Sequence, residues 1–268
     1  MPLAVCATPI GNLADVTLRV LDELRAADLV LCEDTRRTRV LLDRHGIEAR
    51  LASFHRHNEA ARTAEVLERL AGDERISLVS DAGLPGVNDP GARLLVASLA
   101  AGLPTTVLPG PSAVETALVA SGLVADRYQF VGYLPRRDAE LRALARELAA
   151  WPSPVVAFES PRRLPRSLAA LAGEMPDRDA AVCRELTKRF EEIVRGSLEE
   201  LARHFEEPPR GEITVVLGSW AVEEVLELDE ALAAVGELVS AGMSRRPAVD
   251  LVARLTGASR NELYRRSL

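Results

Sequence analysis

Leu78-Val-Ser-Asp-Ala-Gly-Leu-Pro-Gly-Val-Asn-Asp-Pro-Gly91 is the stretch whose reading decides the fold. Ile76 to Val79 is an apolar run with the length of a buried strand. It gives way to two acids, three glycines and two prolines, and Ala92-Arg-Leu-Leu-Val-Ala-Ser-Leu-Ala-Ala101 then has helical periodicity. The unit is therefore strand, irregular loop, helix. Glycine permits backbone angles and close approaches that a Cβ forbids, and Pro90 stands where a helix would begin. Turns between a strand and a helix usually take about 2–6 residues; this one takes ten, Asp81 to Pro90. A long, stiff loop at the carboxyl end of a parallel strand is where α/β sheets bind ligands.

The flanking sequence repeats the pattern. Apolar runs at Pro2–Ala7, Asp28–Cys32, Leu51–Phe54 and Thr105–Leu108 predict further strands. Helices are predicted over Thr17–Ala26, around Val40–Leu42 (closed by Gly46), and after His55-Arg-His-Asn-Glu59 to about Leu70. Strands alternating with helices at this spacing predict a mainly parallel, two-faced sheet of about five strands. Each strand end delivers a polar cluster, at 8–15, 33–37, 55–59 and 81–90. Parallel strands share a polarity, so these clusters should converge along one sheet edge. Pro109-Gly-Pro-Ser-Ala113 suits a hinge, with Ser112 as N-cap of a helix that Gly122 closes. A second, mixed sheet is predicted from 127–134, 154–158, 180–183, 191–195 and 212–217, with a helix over 137–150. The expected division is 1–111, 112–220 and 221–268. In the last part, residues 221–240 hold six acids and no base, whereas 242–268 hold six arginines against Asp250 and Glu262. Leu255-Thr-Gly-Ala-Ser259 fits a helix-turn-helix connection, and Ser259 and Glu262 have capping-box spacing.

Composition sets limits. The 47% hydrophobic fraction of 268 residues supports a substantial core. No apolar stretch reaches the ~20 residues of a membrane span, and the start lacks the basic region of a signal peptide. Cys6, Cys32 and Cys183 are odd in number and lie in strand-like contexts, which predicts buried reduced thiols and a cytoplasmic protein. A net charge of −7 argues against a generally basic nucleic-acid binder but permits a local basic face. Neither GxGxxG nor GxxxxGK[ST] occurs, which excludes the common dinucleotide and P-loop sites. His55 and His57 alternate like strand ligands, yet no third ligand follows at suitable spacing, so no metal is expected. Glu33-Asp-Thr-Arg36 has two readings: acids favoured at a helix N-terminus, or a functional cluster at a strand end. Glu185 and Lys188 fit a surface pair. Arg136, Arg137, Arg162, Arg163 and Arg166 fit either a phosphate-facing surface or solvated helix starts.

Several segments carry a family resemblance. Ala7-Thr-Pro-Ile-Gly-Asn-Leu-Ala-Asp-Val-Thr-Leu-Arg19, Glu33-Asp-Thr-Arg36, His55-Arg-His-Asn-Glu59, Ser80-Asp-Ala-Gly83, Asp89-Pro-Gly91 and Leu108-Pro-Gly-Pro-Ser-Ala113 belong to this set. Arg184-Glu-Leu-Thr-Lys188, Phe190-Glu-Glu192 and Gly211-Glu-Ile-Thr214 continue it. Together they resemble the bacterial 16S rRNA ribose 2′-O-methyltransferases of the tetrapyrrole methylase superfamily, over essentially the whole chain. The long loop departs from that family's usual Ser-Asp-Ala-Gly-Thr-Pro-Leu-Ile-Ser-Asp-Pro-Gly at Leu84, Gly86 and Asn88.

The resemblance implies two α/β domains with an S-adenosylmethionine cleft between them, a small C-terminal helical domain that contacts RNA, and a homodimer. It implies methyl transfer to the ribose 2′-hydroxyl of a cytidine in 16S rRNA of the small ribosomal subunit. A ribose hydroxyl needs its proton taken or hydrogen-bonded before it attacks. Glu33, Asp34 and Glu185 are the expected acceptors, with Arg36 and Lys188 orienting phosphate or hydroxyl. The expected cofactor contacts are Pro9, Asp81, Ala82, Gly83, Leu84, Pro85, Ser112 and Ala113, with Leu186, Gly211, Glu212 and Ile213 from the second domain. The acids of the long loop are expected to order the loop and meet the cofactor, not to act as base. A porphyrinoid methylase of the same fold, a non-enzymatic RNA-binding module and a nucleotide-dependent regulator are the rival readings. The arginine clusters, the converging strand ends and the missing phosphate loop weigh against them in turn.

Overall fold

A computed structural model describes residues 3–220, 228–256 and 258–267. Two compact units result, Met1–Trp220 and Ala221–Leu268. The larger begins with β1 (Leu3–Cys6), α1 (Leu18–Ala26), β2 (Leu29–Cys32), α2 (Thr35–Arg44), β3 (Leu51–Ser53), α3 (Glu59–Ala71), β4 (Ile76–Val79), α4 (Ala92–Ala100) and β5 (Thr105–Leu108). These strands form one parallel sheet in the order β3-β2-β4-β1-β5. β1, β2 and β4 are buried throughout, as unbroken apolar runs in a two-faced sheet require. Val20, Leu21 and Leu24 of α1 and Leu42 of α2 pack on one face. Val66 and Leu70 of α3 and Leu94 of α4 pack on the other.

That wrapping creates a switch point. The neighbouring strands β1 and β4 send their helices to opposite faces, so the loops after them diverge and leave a crevice. The second half supplies α5 (Ala113–Ser121), β6 (Gln129–Tyr133), α6 (Asp138–Ala149), β7 (Val155–Glu159), α7 (Leu164–Ala172), β8 (Asp179–Arg184), β9 (Glu192–Ser197), α8 (Leu198–His204) and β10 (Ile213–Leu217). Its sheet runs β6-β7-β10-β8-β9, with β6 and β7 parallel and the remaining pairs antiparallel. The mixed character expected from the sequence is present, including the β8–β9 hairpin pairing. α6, α7 and α8 cover one face. The other face packs on Val114, Ala117 and Leu118 of α5 and on Ile10 from the loop after β1.

The small unit holds α9 (Leu228–Ser240), α10 (Arg245–Thr256) and α11 (Arg260–Arg266) around Ala231, Val235, Ala248, Val249, Val252 and Leu263. The expected capping box at Ser259 and Glu262 does not form, and Ser112 is the N-cap of α5 by position only. Ser259 precedes α11 but its hydroxyl caps nothing, and Glu262 faces Arg265 at 3.7 Å instead of reaching back. Ser112 stands at the N-cap of α5 but donates its hydroxyl to Glu115. A capping box does form at Ser197 and Glu200, at the start of α8.

Candidate active site

The long loop after β4 is pinned from three sides. Thr8, just past β1, exchanges two backbone hydrogen bonds with Gly83, at 2.8 and 3.0 Å. Gly83 takes φ +80° there, which a side chain would oppose. Ser80 donates its hydroxyl to Gly83 O at 3.0 Å. Asp81 accepts from the Asp34 N–H at 3.1 Å and stands 3.6 Å from Arg37, tying the loop to the end of β2. Farther along, Arg56 donates to Asn88 O, and Glu59 Oε1 accepts from the N–H groups of Gly91 and Arg93. The four polar clusters do meet at one sheet edge.

The second domain closes the crevice. Ile10 packs with Val114 and Leu186, and Thr187 Oγ1 accepts from the Asn12 N–H at 3.0 Å. Lys188 sits 2.9 Å from both Glu185 and Glu212, and Glu185 also accepts the Glu212 N–H at 2.9 Å. This brace holds Glu185 at φ +53° and Thr187 at φ +64°. It leaves no space at Gly211, where a Cβ would lie 2.5 Å from Glu185 Cγ.

Between the sheets lies a cleft of about 910 Å³. The loops of the first sheet and the start of α2 contribute Ile10, Glu33, Arg37, Asp81–Leu84 and Val87–Asp89; the segment after β5 contributes 109–112; α5 contributes Ala113–Thr116. Tyr128, Phe130, Tyr133, 158–161, Cys183, Leu186 and 211–214 complete it. Its apolar wall includes Phe158, edge-on to Phe130 and Tyr133 at ring-centroid distances of 5.0 and 5.4 Å. Tyr133 is also 59% exposed and stands at the rim. Cys183 lines the floor as a thiol that burial pushes up to about 12, so it is inert as a nucleophile.

Six carboxylates line the cleft, from Glu33, Asp81, Asp89, Glu115, Glu159 and Glu212, against the one guanidinium of Arg37. Burial pushes Glu33 up from its ordinary range; a hydrogen bond from the Asp81 backbone pulls it partway back, and the Asp81 charge adds to the rise. Burial likewise raises Asp89, to about 7, with the charge of Glu33 next in importance; Arg56 and the nearby Ser80 hydroxyl only partly offset it. Burial would raise Glu115 too, but hydrogen bonds from Ser112 and Tyr128 bring it below its usual range.

Among the residues expected at the site, Glu33, Asp81, Ala82, Gly83, Leu84, Ser112, Ala113, Leu186, Gly211, Glu212 and Ile213 line the cleft. Pro9 and Pro85 are buried behind it. Asp34, Arg36, Glu185 and Lys188 are not among the lining residues either. Asp34 caps α2 through the Arg36 N–H at 2.9 Å and binds the Arg36 guanidinium at 3.0 and 2.7 Å. Hydrogen bonding from Arg36 holds its carboxyl at about 2, too weak a base for a hydroxyl proton. Glu185 and Lys188 belong to the brace. The expected proton-accepting role of Asp34 and Glu185 therefore has no support in the geometry. Sequence reasoning missed Glu115, Tyr133, Glu159 and the free position of Asp89. Tyr133 and Glu159 end predicted strands and were open to the same strand-end logic as Glu33. Among the described residues no group of three or more His, Cys, Asp or Glu could hold a metal ion.

Residues 2–202 match the family model of the Tetrapyrrole (Corrin/Porphyrin) Methylases. The chain belongs to the tetrapyrrole methylase family. Within this methylase, residues 227–268 match a second model, the RsmI C-terminal HTH domain. It is 43% identical to the ribosomal RNA small subunit methyltransferase I of Mesorhizobium japonicum, over 99% of this chain and 91% of that one. It is 42% identical to the protein of the same name from Micromonospora olivasterospora, over 98% and 85%. The methylase fold is also that of a uroporphyrin-III C-methyl transferase from Thermus thermophilus solved with S-adenyl homocysteine. That likeness has a TM-score of 0.56 at 21% identity, covering 81% of this chain and 96% of the other.

Proposed function

We propose that this methylase transfers a methyl group from S-adenosylmethionine to the ribose 2′-hydroxyl of a cytidine in the RNA of the small ribosomal subunit. The observation that carries the reading is the cleft: strongly acidic, walled with apolar side chains and placed at the switch point of a methylase fold. A sulfonium cofactor is a cation, and once Asp81, Glu159 and Glu212 are matched by Arg37, Arg163 and Lys188, the cleft keeps Glu33, Asp89 and Glu115 in excess, which suits a cation. They do not suit a phosphate chain, so RNA should meet the rim while the cofactor fills the interior. The residues present fit the group. The backbone of Asp81–Leu84, Ser112 and Ala113, with Leu186, Glu212 and Ile213 opposite, would hold it, and Ile10 and Val114 would cover its apolar parts. When bound, it supplies an electrophilic methyl on sulfur. The chain supplies position, exclusion of water and a proton acceptor.

Exposed arginines at the rim of the second domain supply a face for phosphate. Arg166 donates to Arg136 O at 2.6 Å, which brings the start of α7 to the start of α6, and Arg136, Arg137 and Arg162 stand exposed beside it. A porphyrinoid methylase needs neither these nor an arginine-rich helical tail. The reading includes a homodimer in the cytoplasm. Val96 and Leu99 of α4 and Val107 of the edge strand β5 are exposed apolar groups available to a second copy. Among the described residues no helix is long and apolar enough to cross a membrane.

The test is transfer of labelled methyl from S-adenosylmethionine to small subunits from cells lacking the enzyme, with the product nucleoside mapped. The expected product is 2′-O-methylcytidine. Label on a base, or none on the RNA, would overturn the reading.

A further inference from the structure

The structure accounts for four of the six cleft carboxylates. Asp81 is engaged by the Asp34 N–H and Arg37. Glu115 receives the hydroxyls of Ser112 and Tyr128. Glu159 is buried against Arg163, Ser167 and the Ser160 N–H. Glu212 pairs with Lys188. Glu33 and Asp89 remain. Among the described residues neither has an ion-pair partner within 4.0 Å; the Ser80 hydroxyl stands beside Asp89 and is shared with Gly83 O at 3.0 Å. The two leave neighbouring strands, Glu33 from the end of β2 and Asp89 from the loop after β4.

Asp89 is also rigidly placed. Asn88 before it takes φ +60° and gives its carbonyl to Arg56. The Asn88 side chain fills the space over Gly132, where a Cβ would come within 3.1 Å. Two residues beyond, Gly91 is tied to Glu59 at 3.0 Å. A carboxylate with no cation within 4.0 Å, in the cleft, on a backbone held from both sides, has the properties required of a positioned base.

We propose that Asp89, with Glu33 as its neighbour, accepts the proton of the methyl-accepting hydroxyl. The inference rests on the methyltransferase reading above. The substrate oxygen forms a bond to the methyl carbon, the carbon–sulfur bond breaks with its electron pair returning to sulfur, and the hydroxyl proton passes to the Asp89 carboxylate. No further reactant is needed. The groups facing Asp89 are Glu33 from β2, Ser80 and Asp81 from the loop after β4, Arg56 from the segment before α3, and Tyr133 from β6. Their net effect, with burial, places its carboxyl at about 7, near the pH at which a general base is most effective.

The experiment compares wild type, Asp89→Asn and Glu33→Gln as full-length proteins. Turnover at saturating substrates, cofactor affinity by calorimetry and carboxyl titration by NMR of aspartate-labelled protein are the readouts. Asp89→Asn is expected to lose about 10²- to 10⁴-fold in kcat while cofactor affinity stays within about threefold. One aspartate should titrate near pH 7 in wild type and vanish in Asp89→Asn. Glu33→Gln removes a like charge, so the titration and the rising limb of the pH–rate profile should both move to lower pH. S-adenosylmethionine should lower the midpoint more than S-adenosylhomocysteine, which lacks the sulfonium charge. Turnover by Asp89→Asn within about tenfold of an active wild type would overturn the assignment alone. So would an equal loss of cofactor affinity, or no carboxyl titrating between about pH 6 and 8. Absence of transfer by wild type would sink the underlying reading and the assignment with it.

Discussion

Asp34 and Asp89 carry the same functional group on opposite sides of its ordinary range, because of what each touches. Asp34 is claimed by the adjacent Arg36; its depressed pKa adds stability above the unfolded value of 3.8, lost as pH falls toward about 2. Asp89 is raised from 3.8 to about 7. A raised acid contributes stability that is fully present below pH 3.8 and is lost as pH rises through 7. Ionised Asp89 is thus a standing cost to the fold at neutral pH, on the order of a few kcal/mol before allowance for its partial exposure. Asp89→Asn should remove that cost. Thermal melts at pH 4 and pH 8 should show the variant gaining several degrees over wild type at pH 8 and little at pH 4. Equal differences at both pH values would mean that the fold does not hold Asp89 protonated. A stability gain beside an activity loss is expected where a residue is kept for function.

At the scale of elements, the strands and helices were legible because each carries its own periodicity, and the meeting of their polar ends follows from parallel polarity. The partners of those ends were less legible. Asp34 and Arg36, or Glu185 and Lys188, are near neighbours in sequence and visible as pairs. That they are consumed by pairing, while Asp89 is left free, depends on Arg56 stopping at the Asn88 carbonyl and on Arg37 choosing Asp81. No local pattern encodes those choices. Ser112 shows the same limit: its spacing fits a cap, but Glu115 takes the hydroxyl. The Glu185–Lys188–Glu212 brace gives the element-scale prediction. Lys188→Met leaves two carboxylates facing each other at the junction of β8 and β10 without their cation. The strained 185–187 turn should loosen, lowering stability by about 1–2 kcal/mol and cofactor affinity by about tenfold. Because Lys188 does not line the cleft, kcat at saturating cofactor should fall by less than about fivefold. Loss of kcat by about 10² or more would instead restore the direct role expected from the family resemblance.

For the whole molecule, the tension is a net charge of −7 on a protein that must hold RNA. Charge segregation resolves it. The acids concentrate inside the cleft, where they meet a cationic cofactor, and in the stretch 221–240, whose first seven residues lie outside the described ones. The arginines concentrate at the rim of the second domain and in α10 and α11. In the small unit Arg246, Arg254, Arg260 and Arg265 are exposed, while Asp250 pairs with Arg260 and Glu262 stands 3.7 Å from Arg265. The unit ending at Trp220 has its own cores on both sheets, and the described residues that line the cleft all belong to it. The tail is therefore expected to act on RNA affinity and not on the cofactor. In the full chain, Arg246→Glu with Arg254→Glu should weaken binding to small-subunit RNA by tenfold or more at about 100 mM salt. It should also flatten the salt dependence by roughly one logarithmic unit for each phosphate that is no longer neutralised, with S-adenosylmethionine affinity unchanged. Removing residues 222–268 should produce the same separation more strongly. If the double variant binds RNA as wild type does, with the same salt slope, the tail is not a contact surface and the rim arginines must carry the RNA alone.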